Sequence, residues 1–220
     1  MARMAANKIG VLGSGQVGEV LSNGFLKHGY EVMRGSREPA KLAAWKTSGG
    51  AKASVGTFAE AAKFGDVVVL AVKGTAAESA LDLAGDGNLA GKIVLDATNP
   101  IADEPPQNGV IRYFTGPNES LMERLQKRFP AAKLVKAFSS VGNASFVNPN
   151  YGNTRPTMFI CGDDAPAKDR AKAILDQFGW DTADMGGVQS ARAIEPLCML
   201  WCIPGFLQNR WTHAFKLIDR

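Results

Sequence analysis

Two histidines and three cysteines are all the imidazole and thiol chemistry this 220-residue chain carries. His28 closes the first helical stretch and His213 lies near the C-terminus, so neither falls in a loop suited to catalysis. That argues against a histidine proton relay. Cys161, Cys198 and Cys202 form an odd, sparse set. This excludes a disulfide framework and fits the reduced thiols of a cytoplasmic protein. Cys198 and Cys202 stand four apart, on one face of a helix, and read as packing residues. With so few histidines, no zinc constellation forms. The longest apolar run, PLCMLWCIPGFL, is too short to span a bilayer. The opening MARMAANK lacks the apolar core of a signal peptide. The net charge of +4 comes from scattered basic residues, which excludes a nucleic-acid surface. There is no flexible linker, internal repeat or low-complexity tract.

What is present is an ordinary globular composition, 45% hydrophobic and 21% charged. KIGVL (8–12) is a buried strand, and QVGEVLSNGFLKHG (16–29) follows with Val17, Val20, Leu21 and Phe25 at helical spacing. YEVMR (30–34) is a second strand, and PAKLAAWKTSG (39–49) a helix with Pro39 in its first turn. DVVVLAV (66–72) and KIVLDA (92–97) are near-continuous apolar runs, as in strands covered on both faces of a parallel sheet. A helix from Ala76 to Leu83 joins them. SLMERLQKRF (120–129) is amphipathic and precedes the strand KLVKAF (133–138). After Phe138 a Gly/Asn/Pro/Ser-rich loop leads to the strand TMFICG (157–162) and a helix over 163–179. A strand WDTADM (180–185) and a helix SARAIEPLCMLWCI (190–203) follow, the helix kinked or broken at Pro196. This alternation predicts an α/β fold: a Rossmann-type doubly wound parallel sheet with a small C-terminal α/β extension. Residues 1–138 form the Rossmann-type core. Residues 139–220 pack on it, making one unit.

GSGQVG carries the chemistry. Gly13, Gly15 and Gly18 follow a strand and open a helix, the context that gives a G-x-G-x-x-G its meaning. Gly13 allows the tight turn, Gly15 the approach of a pyrophosphate, and Gly18 close helix–strand packing. Ser14, Gln16 and Val17 complete the loop. At the end of the second strand an NAD site has an acid; here stand Arg34, Ser36 and Arg37. An acid would repel a 2′-phosphate, whereas arginine pairs with it. Ser36 adds a donor, and Lys41 reaches the same place from the next helix. NADP is therefore predicted over NAD. The other strand ends supply Ala71, Val72 and Lys73 beside the ribose and pyrophosphate. Asn99 and Pro100 sit by the nicotinamide amide, and Val141 and Gly142 near the ring. Lys73, Lys136 and Tyr151 are the available proton donors, and no catalytic residue is assigned. The scarcity of donors favours an acceptor with its own electron sink, a flavin or deazaflavin.

KIGVLGSGQVG, VMRGSREPAKLAAW, DATNP and SARAIEPLCMLW together resemble the NADPH-dependent coenzyme F420 reductases, across nearly the whole chain. The resemblance implies a Rossmann domain with a small C-terminal region, homodimers, and hydride exchange between NADP and coenzyme F420. Ser36, Arg37 and Lys41 match that family's 2′-phosphate site, and Gly13, Ser14, Gln16 and Val17 its pyrophosphate loop. The 139–144 loop lies where nicotinamide meets deazaflavin. The loops at 71–75 and 96–100 depart from the archaeal members, and VKAFSSVGNASF is closer to a bacterial branch. The cytosolic domain of membrane ferric reductases is also similar. The expected partner is a small redox acceptor, with neither nucleic acid nor membrane. A reductase of a small imine or carbonyl compound and a non-catalytic NADP-binding regulator are the alternatives.

Overall fold

The structure, a computed structural model, describes residues 8–218. Residues 1–7, most of the opening segment without an apolar core, lie outside that range. β1 (Lys8–Leu12) starts the fold, buried in all but its first residue. α1 (Gln16–Lys27) turns Leu21 and Phe25 inward. β2 (Glu31–Gly35) pairs beside β1. A single 3₁₀ turn begun by Pro39 leads into α2 (Ala43–Ser48). β3 (Ala53–Gly56) and α3 (Phe58–Phe64) come next. Neither was expected from the apolar pattern. α3 is started by a capping box, in which the Thr57 hydroxyl accepts from Glu60 N–H while the Glu60 carboxylate accepts from Thr57 N–H.

β4 (Val67–Leu70), α4 (Ala77–Ala84), the short α5 (Asp86–Leu89) and β5 (Ile93–Asp96) carry the chain across the sheet. α6 (Leu121–Arg128) and β6 (Lys133–Lys136) finish it. The order is β3-β2-β1-β4-β5-β6, every pair parallel. This is the Rossmann arrangement, with a topological switch between β1 and β4. β4 shows why the runs read as continuous. Val67 and Val69 enter the cluster under α1 and the later helix at 165–177, while Val68 and Leu70 enter the cluster under α3, α4 and α6. Each such side chain is worth about 1.5–3 kcal/mol on burial.

The C-terminal part is a two-stranded parallel sheet, β7 (Thr157–Ile160) and β8 (Asp181–Asp184), joined by α7 (Ala165–Gln177). A backbone bridge from Lys136 to Cys161 ties it to β6. α8 (Ala191–Gln208) then packs back on the main sheet through Ile194. Of the kink or break expected at Pro196, the break is corrected: α8 runs unbroken through Pro196 and Pro204. Pro196 lies on the exposed side, and the Arg192 carbonyl it cannot serve belongs to an exposed residue within reach of water. No helix among the described residues is long and apolar enough to cross a membrane.

Candidate functional site

A cavity of about 1010 Å³ opens at the carboxyl ends of the central strands, where open α/β sheets bind ligands. Its wall takes Ser14, Gly15, Gln16 and Val17 from the β1–α1 loop, and Ser36, Arg37, Glu38 and Lys41 from beyond β2. Ala71–Gly74 after β4, Ala97–Asn99 after β5, and Asn143 close it.

The three glycines of the loop meet different constraints. A Cβ on Gly13 would run into the Ala71 carbonyl oxygen, and one on Gly18 would lie 2.6 Å from the Gly13 carbonyl oxygen. A Cβ on Gly15 would meet nothing within 4 Å. Gly13 and Gly18 are thus required by the protein's own packing. Gly15 instead borders the cavity as the N-cap of α1, with no side-chain cap over the first free amides. Such a helix start attracts anions.

Beyond β2 the Ser36 side chain is nearly buried, and its Oγ accepts a hydrogen bond from Glu38 N–H at 3.1 Å. Arg37 is exposed and has no hydrogen-bond or ion-pair partner among the described residues. Lys41 Nζ donates to Glu38 Oε1 at 2.8 Å, and this contact holds the Glu38 carboxyl below its usual pKa. Arg34 takes no part in this corner. Its guanidinium is fully buried, donating to Gly15 O at 3.2 Å and to Glu19 Oε2 at 3.4 Å, with the Trp45 ring 4.9 Å away.

At the other end of the cavity, Asn99 Nδ2 donates to the Ser139 carbonyl at 2.8 Å, leaving Asn99 Oδ1 buried without a partner. Under this loop lies an ion cluster. Lys136 Nζ contacts Asp96 at 2.6 Å, Glu195 at 2.9 Å and the Thr98 carbonyl at 2.9 Å, with both acids and the lysine buried. Burial alone would lower the Lys136 pKa, but the two carboxylates outweigh it and raise it well above the ordinary value. Glu195 also accepts from the Leu121 and Met122 amides, capping α6.

Of the three groups weighed as proton donors, Lys136 is therefore locked and remote from solvent. Tyr151 hydrogen-bonds Ser145 Oγ and lies outside the cavity wall. Lys73 is in the wall, 3.4 Å from Asp103. Pro100, Val141 and Gly142 lie behind the wall: Pro100 is buried, and a Cβ on Gly142 would lie 2.6 Å from the Trp201 ring. Their segment reaches the cavity through Asn143 instead. Sequence reading missed Phe58 and the segment 101–105, which joins a β-bridge between Ile101 and Tyr113; within the expected 139–144 loop it singled out Val141 and Gly142 rather than Asn143. Nothing local marks them. A usable signal lay along α4, where Ala76 at its N-cap and Ala80 and Leu83 within it recur at helical spacing; Leu83 stays 50% exposed.

Comparison with known proteins agrees with this geometry. The model of the coenzyme F420-dependent NADP oxidoreductases matches residues 8–100. A crystal structure assigned as an F420-dependent NADP-reductase, from Arthrobacter sp. FB24, superposes with a TM-score of 0.89 at 30% identity. That match covers 96% of this chain and 99% of the other. Rat metalloreductase STEAP3 is 34% identical over 207 residues, 92% of this chain, and the chain spans 39% of that relative's length. An imine reductase from Myxococcus stipitatus in complex with NADP+ shares the fold, with a TM-score of 0.64 at 19% identity over 92% of this chain and 63% of that one. Glycine loop, sheet order and likeness over 96% of the chain converge: the chain belongs to the coenzyme F420-dependent NADP oxidoreductase family.

Proposed function

We propose that this cavity binds NADPH along its length and presents it to a planar acceptor of the deazaflavin or flavin type, coenzyme F420 first. The observation that carries the reading is the pairing of two unmet demands in one cavity. Arg37, exposed, has no protein partner among the described residues at one end, and the buried Asn99 Oδ1 has none at the other. A 2′-phosphate suits the first, joined by the Ser36 hydroxyl and by Lys41. An amide N–H suits the second, because the bond to Ser139 orients the Asn99 side chain and leaves its buried Oδ1 without a donor. The Gly13–Gly18 loop, with Ser14, Gln16 and Val17, seats the pyrophosphate on the α1 amides. Ala71, Val72 and Lys73 flank the adjoining ribose, and Pro100, Val141 and Gly142 support the ring end from behind.

NADPH supplies the hydride. This chain's residues bind and orient; among the described residues no histidine lines the cavity, and Lys73 in its wall is engaged by Asp103. An acceptor that spreads negative charge through its own ring system needs no protein acid. The same reading has the chain act as a homodimer.

The test is direct. NADPH is expected to bind more tightly than NADH. Arg37→Ala is expected to weaken NADPH by about 10- to 100-fold, the loss of one charge-assisted contact, and to leave NADH nearly unchanged. NADPH oxidation is then followed with F420, FMN, an imine and a ketone in turn. Turnover with the imine or ketone alone would move the chain to a small-substrate reductase. Tight binding with no turnover would make it a regulator.

A further inference from the structure

We infer that Arg34 is a further, hidden cation of the dinucleotide site, working from beneath the glycine loop on the pyrophosphate seat. The inference rests on the NADP reading above and assigns a residue that reading leaves unused.

Position 34 lies inside the sheet, paired with Val11 on one side and Val55 on the other. Its neighbour on the same face, Val32, is an ordinary core residue. An apolar side chain at 34 would serve packing at least as well, since a buried charge usually adds less stability than a hydrophobic residue of similar size. The guanidinium nevertheless has 0% exposure. Its compensation is thin. Glu19 is 3.4 Å away and 53% exposed, the Gly15 carbonyl is neutral, and Nε is buried without a partner. Desolvation lowers its pKa despite Glu19, which is the mark of a cation short of negative charge.

The missing charge has an obvious seat. Gly15 is the loop glycine whose missing Cβ faces open cavity, and Arg34 gives its carbonyl a second donor beside the helical bond from Glu19 N–H at 3.0 Å, tightening the hold on it. In a planar trans peptide, fixing that carbonyl also fixes the Gln16 N–H, which points the other way. Arg34 therefore does two things for an anion above the loop. It orients an amide donor, and it adds positive charge in a region of low dielectric, where charge acts strongly. Trp45 covers the guanidinium, and its own indole N–H is anchored on Asn23 Oδ1 at 2.7 Å. Arg37 and Arg34, three residues apart, thus divide the work: Arg37 reads the 2′-phosphate, and Arg34 serves the pyrophosphate that NADPH and NADH share.

The experiment measures dissociation constants of NADPH and NADH by calorimetry for the wild-type chain, Arg34→Met, Arg34→Lys and Glu19→Gln, with melting temperatures alongside. Arg34→Met is expected to weaken both dinucleotides by about tenfold and by the same factor. Arg34→Lys should fall between it and the wild type. Glu19→Gln removes the competing carboxylate and should tighten both ligands several-fold while lowering the melting temperature. A merely structural arginine would not produce that opposite sign. Glu19 is exposed, so this variant keeps the test sound if Arg34→Met fails to fold. Unchanged affinity in all the variants, loss for NADPH alone in Arg34→Met, or weaker binding in Glu19→Gln would overturn the role of Arg34. If the wild-type chain binds neither dinucleotide, the NADP reading fails first and takes this one with it.

Discussion

Replacing the loop glycines one at a time separates folding from binding. Gly15 has φ −82° and ψ −177°, a conformation open to alanine, and its Cβ would meet nothing within 4 Å. Alanine there narrows the unfolded ensemble, a gain of about 0.4–1 kcal/mol. It is also a poorer N-cap than glycine, a loss of similar size. The stability of Gly15→Ala is thus expected to stay within about 1 kcal/mol of the wild type. Binding is another matter, because the new methyl occupies the surface a pyrophosphate must approach, and NADPH affinity is expected to fall more than about tenfold. Gly18→Ala inverts the pattern. Its Cβ would lie 2.6 Å from the Gly13 carbonyl oxygen and 3.2 Å from the carbonyl carbon, and backbone cannot rotate away as a side chain can. The cost is about 1–3 kcal/mol. At about 2–4 °C per kcal/mol for a chain of this size, the melting temperature should fall by several degrees. Thermal melts and NADPH titrations of the two variants check both halves. Full affinity in Gly15→Ala, or an unshifted melt in Gly18→Ala, would refute the division of roles.

Other perturbations follow from the same geometry. Lys136→Met leaves Asp96 and Glu195 facing each other in the interior and should cost about 3–5 kcal/mol in urea unfolding; a loss under 1 kcal/mol would mean the cluster is not electrostatically coupled. Burial pushes the Cys161 thiol up to about 12, whereas the bond from Cys198 lowers the Cys202 pKa. Iodoacetamide should therefore label Cys202 first and Cys161 only on unfolding, as read by mass spectrometry; equal rates would contradict this. The bond from Arg192 holds Glu123 below its ordinary 4.5. Its contribution is present above that ordinary value and lost as pH falls through the lowered one, since the unfolded chain binds the proton first. The stability gap between wild type and Glu123→Gln should accordingly hold at neutral pH and close as pH falls from 4.5 through the lowered folded-state pKa, and a constant gap would show that the pair is not responsible.

The sheet was legible where strands are buried on both faces. β1, β4 and β5 announce themselves because alternate residues feed two different cores, so polar positions are excluded from the run. β3 escaped notice: Ala53–Gly56 is an edge strand with one large apolar residue, Val55. α3 offered Thr57 and Glu60 at capping-box spacing, a signal that apolar periodicity alone does not read. The glycine loop and the Ser36–Arg37–Lys41 corner were legible because their partners are close in sequence. Arg34 was not. Its environment is set by Gly15, Glu19 and Trp45, which approach it only when α1 and α2 dock on β2. Asn99 carried the right chemistry in sequence, but its orientation depends on Ser139, forty positions later.

Glu195 lies in α8, yet it terminates α6 and balances the ammonium on β6. That arrangement limits the modularity of the molecule. A cassette exchange after Phe138 that lost this carboxylate would strand a buried lysine and uncap two amides at once. The acceptor end cannot readily be recombined as an independent piece, so new acceptor preferences are more accessible through point changes around the rim, at Lys73, Asp103 and Asn143, than through exchange of the C-terminal third.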